Sequence, residues 1–255
     1  MKYLVQVVLL ATGFFASCSP TRFVPAELEY ASYEIKLEKT GENEALKNML
    51  RPYSDSVENS MNITIGSLGG EMTKNWPECS LGAFMTDAYL QMGSDTFRQK
   101  VDFALMNMGG IRLGSLPAGT ITRGRIFELM PFDNLLVLLR LTGSQVENLL
   151  TDVASKGGWP IAGGSYTISG KKAVDIKIDG KPLDPLKMYV LATSDYIANG
   201  GDESNTLKNI PQISLGYLQR DALLAYVKKF ASQDKMVPKT VSQNRVIRAK
   251  ATNEP

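Results

Sequence analysis

The sequence predicts an α+β fold, a single domain with a mixed sheet and packed helices. Three observations lead there. Runs with a two-residue apolar period and runs with a helical period interleave irregularly along the chain. The composition is that of a globular protein, 44% hydrophobic and 21% charged over 255 residues. No repeat, low-complexity segment or long linker breaks the body.

The chain opens with Lys2 and a nearly unbroken apolar run from Tyr3 to Ala16. Such a run suits the core of a secretory signal and is too short to span a bilayer. It ends in Phe15-Ala16-Ser17-Cys18, and small residues before that Cys resemble a bacterial lipobox, with Phe15 where Leu is usual. The expectation is a lipoprotein signal over 1–17, lipidation at Cys18 and a tether over 18–31; ordinary secretion with cleavage nearby is the alternative. An acylated Cys18 would hold the protein at a membrane, facing the periplasm or the cell surface. The domain is expected over 32–250, with a tail over 251–255.

The body reads as follows. Leu46, Met49, Leu50, Tyr53, Val57 and Met61 recur at helical spacing, with Pro52 expected to interrupt or restart the helix. Asn62 to Ser67 alternates like a strand. Leu81, Phe84, Met85, Ala88, Tyr89 and Met92 mark a helix face, which Gly93 is expected to close. Val101 to Met106 and Leu135 to Leu141 read as buried strands. Ser144 and Glu147 have capping-box spacing ahead of Val146, Leu149, Leu150 and Val153, and Gly157-Gly158 stop that helix. Tyr166–Ile168 and Val174–Ile178 make a hairpin around Gly170-Lys171-Lys172, followed by a turn at Asp179-Gly180. A strand over Tyr189–Thr193 runs towards Gly200-Gly201, a helix spans Leu218–Phe230, and Val246-Ile247 fits a last short strand.

Composition removes several kinds of chemistry. The chain has no His, which excludes a Ser-His-Asp triad, a Cys-His dyad and any His-ligated metal site within it. The net charge of +2 and the lack of a basic stripe with interleaved aromatics argue against nucleic-acid binding. Cys79 reads as a small buried hydrophobe. Asn107-Met-Gly-Gly-Ile-Arg112 lacks the endings of a phosphate loop and of a dinucleotide fingerprint, so Gly109 and Gly110 fit a turn with positive φ. Arg112 offers a planar fork for phosphate or ribose oxygens and equally suits a salt bridge. Phe132 and Tyr196 fit core staples as well as ligand platforms, and Asp202 fits a helix cap. By themselves these residues describe a domain whose polar, glycine-flanked loops could form a small-molecule cleft.

Taken in order, the loops resemble a known family. Glu78-Cys-Ser-Leu-Gly82, Asn107-Met-Gly-Gly-Ile-Arg112, Gly119-Thr-Ile-Thr122, Pro131-Phe-Asp-Asn134, Leu141-Thr-Gly143 and Asp195-Tyr-Ile-Ala-Asn-Gly-Gly-Asp202 are similar to the C-terminal, substrate-binding domain of the 5'-nucleotidase and UDP-sugar hydrolase family. Each motif alone is weak; six in order over roughly residues 40–250 are specific. The resemblance implies that Phe132 and Tyr196 clamp a nucleobase and that Asp202 accepts from ribose hydroxyls. It places Asn107 and Arg112 towards base, sugar and phosphate, and Asn134 near the base.

Two positions depart from the family pattern. Pro77 stands where an Arg is frequent, and Glu203 follows Asp202 where Gly is usual. Both favour a nucleoside over a nucleotide. Family enzymes also carry a metallophosphatase domain whose two divalent metals are held by His-containing motifs, and no such residues occur in this chain. No catalytic residue and no cofactor is therefore expected in it. The resemblance implies a nucleotide- or nucleoside-binding half that works with a separate metallophosphatase chain. The rival readings are a stand-alone nucleoside-binding lipoprotein for capture or sensing, and a domain that has kept the fold without the ligand.

Overall fold

A computed structural model describes residues 42–239 and 244–249. The expected signal, Cys18, the tether and the tail lie outside the described residues. The chain divides into two units, Met1–Leu50 and Arg51–Pro255. Of the first unit, residues 42–50 are described, and they open helix α1 (Glu44–Met61). Pro52 sits inside this one continuous helix. It removes a single N–H donor, while the turns on either side keep theirs. The apolar stripe of Leu46, Met49, Leu50, Tyr53 and Val57 is exposed along its length.

After α1 come β1 (Thr64–Leu68), β2 (Met72–Thr73), α2 (Ser80–Phe97), β3 (Phe103–Leu105), β4 (Ser115–Leu116) and β5 (Gly119–Thr122). Next follow α3 (Arg123–Leu129), β6 (Leu136–Thr142), α4 (Gly143–Ser155), β7 (Ile161–Ala162), β8 (Gly164–Ser169), β9 (Lys172–Ile178) and β10 (Lys181–Pro182). The order ends with β11 (Met188–Ser194), α5 (Asp195–Ala198), β12 (Gln212–Ile213), α6 (Gln219–Ala231) and β13 (Val246–Arg248).

A five-stranded sheet runs β12-β6-β11-β3-β7 and mixes senses: β11 pairs parallel with β3 and antiparallel with β6. Leu136 to Leu139 of β6 are all buried, as are Phe103 to Leu105 of β3. Burial on both faces explains why these strands read as continuous apolar runs. A four-stranded sheet, β10-β9-β8-β13, closes with a parallel pair between β13 and β8. Two-stranded pairs β1-β5 and β2-β4 complete the α+β architecture. Helix α2 packs on α6, β3 and β7, and α4 packs on β9.

Several local expectations change. Gly93 does not close α2, which continues to Phe97 and ends on Arg98 in the left-handed region. Gly93 lies on the buried face, towards Val101, Leu136 and Ala192. Packing there offsets the glycine's cost of about 1 kcal/mol. Cys79 is buried and caps this helix, its sulfur accepting from the Gly82 amide at 3.2 Å.

The capping box of α4 lies two residues earlier than expected. Thr142 accepts from the Gln145 amide, and Gln145 Oε1 accepts from the Thr142 amide at 2.8 Å. Ser144 instead donates to the Pro185 carbonyl. Finally, β11 does not run into Gly200-Gly201, because α5 intervenes, capped by Ser194.

Candidate functional site

The loops at one end of the five-stranded sheet form a cleft of about 320 Å³. Asn107, Gly109, Gly110, Arg112, Phe132, Asn134, Tyr196 and Asp202 line it. All six residues singled out from the sequence therefore meet around one space, although they come from segments far apart in the chain.

The first segment leaves buried β3 and turns tightly at Met108–Gly110. Asn107 is buried, and its Nδ2 donates to Asp202 Oδ2 at 2.6 Å. Gly109 and Gly110 do not hold positive φ, contrary to expectation. Space is the reason for them: a Cβ at Gly110 would lie 3.0 Å from Asn107 Oδ1, and one at Gly109 would lie 3.3 Å from Nδ2. Arg112 is exposed and donates to the Gly109 carbonyl at 3.5 Å. Its guanidinium lies 5.7 Å from the centre of the Phe132 ring. Among the described residues no carboxylate pairs with it.

The second segment, Pro131 to Asn134, links α3 to β6. Phe132 is 38% exposed, so it does not staple the core. Its loop hangs on Arg220 of α6. Arg220 donates to the carbonyls of Met130 at 3.4 Å and Phe132 at 3.2 Å, and to Asp133 Oδ1 at 2.6 Å. The guanidinium also lies 4.2 Å from the centre of the Phe127 ring. Asn134 is half-buried, and its carbonyl accepts from the Gln219 amide.

The third segment is α5 and the turn after it. Tyr196 is 45% exposed. Its hydroxyl donates to Asp202 Oδ1 at 2.9 Å and accepts from the Asp202 amide at 3.1 Å. Asp202 adopts the left-handed region (φ 49°, ψ 36°), which costs on the order of 1 kcal/mol. It caps no helix; both its oxygens accept within the cleft. Gly201 is required here, since a Cβ would sit 2.4 Å from the Tyr196 ring. Glu203 and Pro77, the two departures, do not line the cleft.

Asp195 joins the two aromatic walls. Its Oδ1 accepts from the Leu135 amide at 3.1 Å and from the Tyr196 amide at 2.8 Å. Sequence reasoning missed both Arg220 and Asp195. For Arg220 a signal existed: it shares a helical stripe with Leu223 and Val227, both buried, and a charged residue on an apolar stripe needs a reason.

The cleft thus has two exposed rings, a cation that no carboxylate among the described residues pairs with, and a carboxylate held by fixed donors. An arrangement of this kind suits a flat aromatic ligand with a polar, hydroxyl-bearing appendage.

Comparison with known proteins shows the family. The profile of the "5'-nucleotidase, C-terminal domain" matches residues 60–209. The chain belongs to this family. It is 30% identical to Protein UshA of Escherichia coli over 204 residues, covering 76% of this chain and 36% of UshA. It is 28% identical to a 5'-nucleotidase of Vibrio vulnificus, covering 74% of this chain and 35% of that protein. The chain therefore spans about a third of the length of these curated relatives. The crystal structure of a 5'-nucleotidase precursor from Thermus thermophilus superposes with a TM-score of 0.69 at 26% identity, over 82% of this chain and 43% of that one. An NAD nucleotidase from Haemophilus influenzae shares the fold, with a TM-score of 0.63 at 18% identity.

Proposed function

We propose that this domain is the nucleoside- or nucleotide-binding half of a 5'-nucleotidase-type hydrolase acting in nucleotide breakdown. One observation carries the reading: Asn107, Arg112, Phe132, Asn134, Tyr196 and Asp202, gathered from separate loops, line a single cleft. In this reading the base stacks on Phe132 and Tyr196, at about 1–3 kcal/mol per base. Asp202 accepts from the ribose hydroxyls. Asn107 and Asn134 present amides to base or sugar, and Arg112 supplies charge towards a phosphate. Ordering costs offset several kcal/mol, so affinity should fall between about micromolar and millimolar.

The chemical step belongs elsewhere in this reading. The 255 residues hold no His, and a two-metal centre would be brought by a separate metallophosphatase chain. Lipidation at Cys18 would fix this half to a membrane, facing the periplasm or the cell surface.

Calorimetric titration of the full-length chain in detergent with adenosine and AMP tests the binding claim. Saturable binding lost in both Phe132→Ala and Tyr196→Ala supports it, and no heat at millimolar ligand refutes it. Mixing with a cognate metallophosphatase tests the split enzyme: equal hydrolysis with and without this chain would remove that part. Mass spectrometry of the membrane-bound protein tests the anchor, since an unacylated Cys18 would exclude it.

A further inference from the structure

We infer that the Tyr196 hydroxyl is the positioning group that lets Asp202 read a ribose cis-diol. The inference rests on the nucleoside-binding reading and adds a second role to a residue assigned there only as a stacking ring.

The geometry is reciprocal. The phenol hydroxyl donates to Asp202 Oδ1 at 2.9 Å and accepts from the Asp202 amide at 3.1 Å. Asn107 Nδ2 fixes the other oxygen at 2.6 Å. A carboxylate offers about four acceptor positions, and these two donors take one on each oxygen. One position per oxygen remains, which is the number of acceptors that the two O–H donors of a vicinal diol need.

Nothing else recorded among the described residues holds this carboxylate. Asp202 and Glu203 both hold left-handed backbone at φ +49° and +59°, which costs a non-glycine residue energy, so this turn depends on contacts such as the Tyr196 hydroxyl to stay in place. Gly201 allows the ring edge to approach to a distance that any Cβ would block. A phenylalanine at 196 would stack on a base equally well but would leave Oδ1 and the Asp202 amide to solvent. The tyrosine therefore couples the base platform to the sugar acceptor through one side chain.

The test compares adenosine with 2',3'-dideoxyadenosine, which keeps the base and lacks both hydroxyls. Calorimetric titrations use the full-length chain in detergent, as wild type, Tyr196→Phe and Tyr196→Leu. Wild type should prefer adenosine by about tenfold or more, as expected for hydrogen bonds to a charged acceptor. In Tyr196→Phe the preference for adenosine over dideoxyadenosine should fall to about twofold. Tyr196→Leu should weaken both ligands, because the ring is gone. A folded Tyr196→Phe protein that keeps the full preference overturns the inference and leaves the nucleoside reading intact. Wild type that binds neither ligand overturns both. A loss of affinity for the two nucleosides in equal proportion in Tyr196→Phe would show a purely structural hydroxyl and also overturns it.

Discussion

The two aromatic walls of the cleft are built by opposite means. Tyr196 is held by its own neighbourhood: Asp202, six positions on, clasps the hydroxyl, and Gly201 gives the ring its space. Phe132 is held from far away, by Arg220, which reaches its carbonyl across 88 positions of sequence. One wall is a local turn; the other depends on α6 being folded and docked. Loop stability tracks the elements that support it, so the Phe132 wall should fail with the global fold and the Tyr196 wall should fail by itself.

The strongest way to break this contrast is Arg220→Ala. The side chain is buried, serves three acceptors and packs on Phe127. Removing it should cost about 2–4 kcal/mol in urea unfolding, since two carbonyls lose their donor and the apolar contact goes as well. Nucleoside affinity should fall, and adding Phe132→Ala should lower it little further. Unchanged stability would mean that the Pro131–Asn134 loop holds itself.

Gly201→Ala attacks the other wall. The added Cβ collides with the Tyr196 ring at 2.4 Å, so the ring must swing away or the turn must shift. Unfolding should be easier by about 1–3 kcal/mol. Binding should drop about tenfold while the rest of the domain keeps its hydrogen-exchange protection. Loss of protection across β6 and α6 would show that the Tyr196 wall is not local after all.

Asp195→Ala then asks whether the walls are independent. Its carboxylate bridges the part-buried Leu135 amide and the exposed Tyr196 amide. The expected cost is about 1–2 kcal/mol, with equal weakening of the Phe132 and Tyr196 contributions in double-mutant cycles. Coupling to only one wall would make Asp195 a simple turn residue.

The same contrast explains what could be read in the sequence. Elements whose signal is local were legible: the apolar runs of β3 and β6, the stripe of α4, and the hairpin between β8 and β9. Local competition caused the errors of detail. Ser144 and Thr142 both stand before the same apolar stripe with a partner three positions on; Thr142 takes the cap with Gln145, and Ser144 is engaged by the Pro185 carbonyl through both its amide and its hydroxyl. Gly93 looked like a stop until the packing of its face was known. The six cleft residues are named through the resemblance; without it, Phe132 and Tyr196 read first as core staples. The spacing of α6 marks Arg220 as a charge on an apolar stripe, but its partner is a loop that only tertiary structure brings to it.

The smallest expected effect is the sharpest check on Arg220. Asp133 is its shortest partner at 2.6 Å, yet the Asp133 side chain is 80% exposed while that of Arg220 is 10% exposed. Exposed carboxylates contribute little because water and salt screen them. If Arg220 acts through the Met130 and Phe132 carbonyls, Asp133→Asn should change unfolding by no more than about 0.5 kcal/mol and leave nucleoside affinity within about twofold. Raising salt should change wild type and Asp133→Asn alike. A large loss in Asp133→Asn that shrinks as salt is raised would move the anchor of the Phe132 wall from the backbone to the ion pair. That wall would then be tuned by solvent and salt, while still depending on α6 being docked.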